Sequence, residues 1–249
     1  MENSQKRTCI FCGGTGLSRE HILADWISNY FPKKTKGTVV IDKSGSIIKQ
    51  FTSPIFQQTL KGVCTKCNGG WMSTLEAEAK NILGPMLFDM KYSCTLNESQ
   101  QAILCYWAQK TALVFSLSTS AEYKIPRQHF DEMYYAKSAI RSIRVQIGWR
   151  LPKKSSIGPH LAHFTLSKID GPILEKMKLP DGEVWRAILV IGNVVFHLTG
   201  SSGGLEAEVE NSDPRVTPSL NPYTNDIMWP VEWPVDALTS VGYTEFADI

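Results

Sequence analysis

Two matched pairs of cysteines, Cys9/Cys12 and Cys64/Cys67, constrain this chain more than any other feature of its sequence. Both pairs have C-x-x-C spacing, and Gly13-Gly14 permits a tight turn that aims backbone amides at the sulfurs of the first pair. Four thiolates match the tetrahedral coordination of zinc at Zn–S distances of about 2.3 Å and leave no coordination position open. The spacing therefore predicts a structural zinc ion; the alternative is four unrelated cysteines.

The expected compartment favours metal binding over disulfide bonds. No stretch approaches the roughly 18 to 20 continuous apolar residues of a membrane span. The segment Met1–Thr8 is polar and lacks the apolar core of a secretory signal. We therefore expect a cytoplasmic protein, in which paired thiols stay reduced. Cys94 and Cys105 lack such a partner, and we expect them to be core thiols.

Caps, breakers and apolar spacing predict the elements of the first part of the chain. They are a helix over residues 20–30, a hairpin formed by residues 38–42 and 46–51, and a helix over residues 70–82 that closes near Gly84-Pro85. Charge alone suggests a basic front end, because residues 1–66 hold ten Lys and Arg against four Asp and Glu. Such a surface suits phosphate binding, although a chance cluster of surface lysines is an equal explanation.

The second part of the chain changes from helical to strand periodicity. Asn97 and Gln100 form a capping-box start for a core helix that continues to about Phe115. A further helix is predicted after Pro126, to about residue 139, followed by strands over residues 143–149, 162–166, 185–191 and 194–198. Gly192-Asn193 is typical of a two-residue hairpin turn. From Gly200 to Pro234 we expect an irregular, acidic tail that Trp229 and Trp233 anchor.

The residues around the cysteine pairs carry a family resemblance. Ser18-Arg19-Glu20-His21-Ile22 lies between the pairs, and Asn68-Gly69-Gly70-Trp71 follows the second pair directly. With the two C-x-x-C steps, this pattern resembles the HNH, or ββα-metal, endonuclease family over roughly residues 9 to 80. The resemblance implies an α+β chain with a zinc-bound, treble-clef-like ββα-metal module over residues 1–90. A helix plus antiparallel-sheet domain of unknown role would then occupy residues 91–249.

The resemblance also implies a catalytic centre. His21 would be the general base, since imidazole titrates near neutral pH. Glu20 and Asn68 would bind a catalytic Mg²⁺ or Mn²⁺ through hard oxygen donors. The implied reaction is phosphodiester hydrolysis in DNA, with RNA left open, and defence against foreign DNA is a context that the resemblance suggests. The residues expected to contact phosphates are Arg19, Lys33, Lys34, Lys36 and Lys66.

Two other functions fit the same residues. The chain could be a zinc-stabilised module that binds nucleic acid or a protein partner without cleaving anything, because fold does not determine function. Alternatively, the zinc site is purely structural and the sheet domain carries the function. The second domain is large enough to bind a protein partner or a second copy of the chain. Taken singly, His21 and Glu20 also fit a satisfied helix histidine and a helix-start acid.

Overall fold

The computed structural model describes residues 7–30, 36–41, 47–54, 59–118, 124–151, 162–168, 183–202 and 213–235, with backbone alone for 36–41, 47–54 and 162–168. Helices and antiparallel strands alternate through these segments, so the α+β class is confirmed. No helix within them is long and apolar enough to cross a bilayer.

Two antiparallel strand pairs form the first part of the chain. The strands are β1 (Leu17–His21), β2 (Lys36–Ile41), β3 (Ile47–Pro54) and β4 (Thr59–Cys64). β2 pairs with β3, which confirms the predicted hairpin. β1 pairs with β4, with Leu17 opposite Cys64 and His21 opposite Thr59. The β1–β4 pair therefore brings the segment after the first cysteine pair alongside the strand that leads into the second.

The helix predicted over residues 20–30 is wrong in its first half. Glu20 and His21 belong to β1, and only a 3-10 helix, Asp25–Tyr30, forms afterwards. The reason is non-local, because hydrogen bonding to β4 holds residues 17–21 extended. Ser18 donates its hydroxyl proton to the Val63 carbonyl across the strand pair.

The predicted helix after the second cysteine pair starts earlier and ends slightly later than expected. It consists of α1 (Thr65–Cys67), a π-helical turn (Asn68–Met72) and α2 (Ser73–Met86) in direct succession. Gly70 interrupts the helical backbone with φ −99° and ψ −116°. The kink separates the cysteine-bearing start of the helix from its core-packing remainder.

The predicted core helix is confirmed as α3 (Glu98–Ser116), with both hydrogen bonds of the Asn97–Gln100 capping box. Its residues from Leu104 to Val114 are all buried, which is typical of a helix enclosed on every side. A further helix, α4 (Arg127–Ala136), ends about three residues before the predicted position. A short strand, β5 (Cys94–Leu96), precedes α3. Both α2 and β5 contact α3.

The second part of the chain folds into a five-stranded antiparallel sheet in the order β10-β6-β9-β8-β7. Its strands are β6 (Ile143–Trp149), β7 (Ala162–Lys168), β8 (Val184–Ile191), β9 (Val194–Ser201) and β10 (Ser219–Asn221). The predicted β8–β9 hairpin is confirmed, and Gly192 at its turn has a φ of +57°. A Cβ at Gly192 would lie 2.3 Å from the Leu87 carbonyl oxygen, so the turn sits directly against the end of α2.

The expectation of an irregular tail is wrong in part, because β10 and β11 (Ile227–Trp229) are strands, and β11 pairs with β5. Trp229 is buried, as expected of an anchor, whereas Trp233 is exposed and packs under Arg215.

One cluster of buried apolar side chains runs through both parts of the chain, from Phe11 through α2 and α3 to Phe196 of the sheet. Cys105 belongs to it as a core thiol, and Cys94 is half-buried at its edge.

Candidate metal centre and the charged network beside it

The four paired cysteines come together in space. The Sγ atoms of Cys9, Cys12, Cys64 and Cys67 all lie within 4.8 Å of one another. The sulfurs of Cys12 and Cys64 are 3.5 Å apart, too far for a disulfide bond. Four sulfurs held tetrahedrally at about 2.3 Å from a zinc ion stand about 3.8 Å from one another. The donor set and its spacing therefore fit a metal ion such as zinc.

Backbone geometry aims amide groups at the sulfurs of both pairs. Gly13 has a φ of +69°, and the turn it makes lets the Gly14 N–H approach the Cys12 sulfur at 3.4 Å. At the second pair, Cys64 is the N-cap of α1, and the Cys67 N–H lies 3.4 Å from its sulfur. The turn expected from Gly13-Gly14 is thus present. At the second pair, the start of a helix directs an amide N–H at the sulfur.

The surroundings separate the pKa values of the thiols. Burial opposes ionisation of Cys64, but the Cys67 backbone N–H and the neighbouring thiols together lower the pKa of Cys64 to about 7. Burial raises the pKa of Cys12 and of Cys67. Cys64 is therefore the thiol of these three that ionises first, and binding of a metal ion would release the remaining protons.

Glu20 and His21 occupy the last two positions of β1, where successive side chains leave opposite faces of the strand. The Glu20 side chain turns inward, and the residue is only 6 % exposed. His21 is half-buried, and its imidazole has no hydrogen bond or ion pair with any residue that the structure describes. The two neighbours in sequence therefore have different environments, one enclosed and one open to solvent.

Asn68 connects the second cysteine pair to β1. It follows Cys67 directly, and its side-chain Nδ2 donates to the Ser18 hydroxyl at 3.2 Å and to the Arg19 carbonyl at 3.3 Å. Since a carbonyl can only accept, the Asn68 nitrogen has to face the strand, and its Oδ1 is turned away. The structure thus places Asn68 against the residues that immediately precede Glu20 and His21.

A buried charged network lies behind β1, centred on the Glu76 carboxylate of α2. Its Oε2 accepts the indole N–H of Trp26 at 2.8 Å and that of Trp107 at 2.9 Å. Its Oε1 accepts a short, charge-assisted hydrogen bond from the ammonium of Lys110 in α3. The side chain of Lys110 is 2 % exposed and that of Glu76 is 18 % exposed, so the ion pair is largely removed from water.

Glu20 borders this network, which we call the Glu76 network and which comprises Glu76, Lys110, Trp26 and Trp107. Burial raises the pKa of Glu20, the Lys110 charge opposes that effect, and the Glu76 charge adds to it. Two carboxyl groups therefore share the field of a single nearby ammonium within this network. The arrangement holds β1, the 3-10 helix, α2 and α3 together around Glu20.

The sequence does not identify the Glu76 network, because no local pattern marks an acid on α2 as buried. One signal was present in the sequence, since Lys110 interrupts the apolar spacing of the core helix between Trp107 and Val114. A cation enclosed within such a helix requires an anionic partner. Nothing local identifies that partner, because Glu76 is 34 residues away from Lys110 along the chain.

The cations expected to contact phosphates are only partly described. Arg19 and Lys66 are both exposed beside the cysteine pairs. Lys36 begins β2 with its backbone alone described, and Lys33 and Lys34 lie outside the described residues. Two exposed cations that the sequence did not single out, Arg7 and Lys61, line an open cleft of about 380 Å³ beside β4.

Comparisons of the chain with family models, with curated proteins and with solved structures found no match.

Proposed function

We propose that this chain is a zinc-stabilised HNH-type endonuclease that hydrolyses phosphodiester bonds in DNA. In this proposal Cys9, Cys12, Cys64 and Cys67 bind zinc in a treble-clef-like module. His21 is the general base, and Glu20 and Asn68 bind a divalent cation, Mg²⁺ or Mn²⁺.

The observation that carries the proposal is the contact between Asn68 and β1. The Asn68 side chain is hydrogen-bonded to Ser18 and Arg19, immediately before Glu20 and His21. The antiparallel pair of β1 and β4, followed by a helix, supports the proposal because a ββα-metal motif is expected to combine two such strands with a helix. Because the sulfur cluster lies at the start of the helix, metal binding there would hold Asn68 against the strand.

The proposed general base has a chemical role that its surroundings permit. His21 is half-buried and unpaired within the described residues, so its imidazole can accept a proton from water. The resulting hydroxide forms a new bond to phosphorus, the bond from phosphorus to the leaving oxygen breaks, and that oxygen takes a proton from solvent. A bound divalent cation would stabilise the negative charge that develops on the phosphate and on the leaving oxygen.

Exposed cations beside the site support a nucleic-acid substrate. Arg19 lies one residue before Glu20 and Lys66 one residue before Cys67, and both are exposed. Phosphate contacts of this kind supply most of the affinity that a protein has for nucleic acid of any sequence. DNA is the substrate that we propose, with defence against foreign DNA as the context.

One observation favours a second function, a zinc-stabilised module that binds nucleic acid or a partner without cleavage. Glu20 is 6 % exposed, and burial raises the pKa of its carboxyl group beside Glu76. A carboxyl group that remains enclosed beside the Glu76 network is a poor cation ligand. Cleavage therefore requires the inward-facing Glu20 carboxyl group to become accessible to the cation, whereas binding alone does not.

A plasmid-nicking assay separates the two functions. The zinc-loaded wild type should nick supercoiled DNA with Mg²⁺ or Mn²⁺, and His21→Ala should lower the rate by about 10² to 10⁴, the usual contribution of a general base. The matched control is Thr59→Ala, which removes the side chain directly opposite His21 on β4 and leaves the imidazole in place. That variant should nick at close to the wild-type rate.

Metal content and DNA binding are measured on the same samples. His21→Ala should retain zinc and bind a labelled duplex as the wild type does, since neither property requires the imidazole. Equal nicking by wild type and His21→Ala would contradict the proposed general base. A wild type that holds zinc and binds DNA, yet nicks nothing with either cation, would establish the second function.

A further inference from the structure

The end of α4, in the second part of the chain, lies close to the cysteine cluster. Lys137 follows α4 directly, with a φ of +52° that places it in the left-handed region. Its N–H donates to the Met133 carbonyl at 3.1 Å, which closes the helix. Glycine is the residue usually found at such a helix end, so a lysine there is an exception to the backbone preference.

The conformation of Lys137 directs its ammonium over two aromatic rings. The Nζ atom lies 3.3 Å from the ring centre of Tyr134 and 5.2 Å from the centre of the Trp71 ring. Trp71 is four residues after Cys67, and its ring meets the Phe11 ring edge-on at 5.5 Å. Because Phe11 lies within the first cysteine pair, Trp71 joins both pairs and Lys137 covers it from α4.

The ammonium is also within electrostatic range of the sulfurs. Partial burial lowers the pKa of Lys137, and the charges of Cys67, Cys12 and Cys9 act in the opposite direction. A ring contact also joins α4 to the first cysteine pair, because the ring centres of Phe130 and Phe11 are 5.3 Å apart. Four thiolates around Zn²⁺ carry a net charge of −2, so a nearby ammonium stabilises the metal-bound form.

Trp71 contributes a second donor to the same cluster. Its indole N–H has no hydrogen-bond partner of ordinary geometry among the described residues. Burial and the neighbouring thiols raise the pKa of Cys67, and the nearby Trp71 indole acts in the opposite direction. The stacked contact of Trp71 with Tyr106, at 5.6 Å between ring centres, holds the indole in this position.

We propose that Lys137 partly neutralises the metal-bound thiolates and thereby slows loss of the metal from the cysteine cluster. A cation held beside a centre of net charge −2 lowers the free energy of the metal-bound form by Coulomb attraction. α4 would then couple the second part of the chain to metal retention in the first. The inference rests on zinc binding by the four cysteines and is independent of nuclease activity.

The test measures the rate at which the zinc-loaded full chain releases its metal to a coloured chelator. Lys137→Met removes the charge at similar length, and Lys137→Arg restores a cation. Lys80→Met, an exposed lysine on α2, is the matched control. We expect Lys137→Met to release zinc about fivefold faster, less than the roughly 10- to 100-fold of hydrogen-bonded outer partners, because Lys137 is exposed to solvent and salt. Lys137→Arg and Lys80→Met should match the wild type.

Two further measurements separate charge from packing. The difference between Lys137→Met and wild type should largely disappear in 1 M salt, where the Debye length is about 3 Å. Lys137→Gly, which relieves the positive φ, should release zinc faster without a lower thermal midpoint. Release of zinc at the wild-type rate by Lys137→Met or Lys137→Gly would overturn the inference. So would a faster release by Lys137→Met that persists in 1 M salt. A wild-type chain that takes up no zinc would overturn it as well, whatever its activity on DNA.

Discussion

Replacing Lys110 with methionine tests whether the Glu76 network holds the first part of the fold together. Methionine retains most of the apolar stem and removes the ammonium, which is the hydrogen-bonded partner of Glu76 and lies near Glu20. Two carboxyl groups then remain in an enclosed site without a compensating cation. Both have to lose hydration or take up protons on folding, so the folded state becomes less stable.

The magnitude follows from the burial of the pair. Removing one partner of a buried ion pair costs about 3–5 kcal/mol. Glu76 keeps two indole donors, and its side chain remains 18 % exposed, so we expect the lower end of that range. Lys110→Met should therefore lower the free energy of unfolding by about 3 kcal/mol, a large share of the roughly 5–15 kcal/mol of a typical domain. Glu76→Gln strands a buried ammonium and should have a similar effect.

Urea unfolding of the zinc-loaded protein, followed by tryptophan fluorescence and far-UV circular dichroism, gives these free energies. The double variant Lys110→Met/Glu76→Gln should be more stable than the sum of the single changes predicts, by about 2 kcal/mol, because it removes both charges of the pair. Lys80→Met should change the stability by less than about 0.5 kcal/mol. A loss below about 1 kcal/mol for Lys110→Met, or strict additivity of the two changes, would refute the reasoning.

Three further predictions concern the metal, pH and a helix cap. Cys64→Ser should abolish zinc retention and unfold the first part of the chain, whereas Cys94→Ser should keep its metal by elemental analysis; zinc retained by Cys64→Ser would contradict the cluster. Burial lowers the pKa of His129 to about 4, although the Glu132 charge opposes this shift. The neutral His129 side chain therefore makes its full contribution to stability above pH 6.5, and this contribution is lost as the pH falls towards 4. The stability advantage of wild type over His129→Gln should therefore shrink by about 2 kcal/mol between pH 7 and pH 5, and a constant difference would disprove this linkage. Asn97→Ala should cost about 1 kcal/mol in urea unfolding because it removes the capping box of α3, and an effect no larger than that of Ser99→Ala would argue against the cap.

The sequence by itself determined the features that depend on short spacing. C-x-x-C places two sulfurs within one turn of backbone, so each cysteine pair and its amide contacts could be predicted before the fold was known. The Asn97 capping box and the Gly192-Asn193 hairpin turn are equally local, and the structure has both. The roles of Glu20, His21 and Asn68 in catalysis remain predictions, although the contact of Asn68 with β1 accords with them.

Tertiary structure alone decided what joins residues far apart in the chain. Residues 17–21 are a strand because β4 pairs with them, and no pattern within the segment indicates a partner 38 to 47 residues later. The same holds for Glu76, which meets Trp26 at a separation of 50 residues, and for Lys137, whose ammonium lies 5.2 Å from the ring centre of Trp71 beside the cysteine cluster. Periodicity and spacing report only interactions within a few residues. The partner of a buried charge, or of a cation beside the cysteine cluster, is a residue that only the folded chain brings next to it.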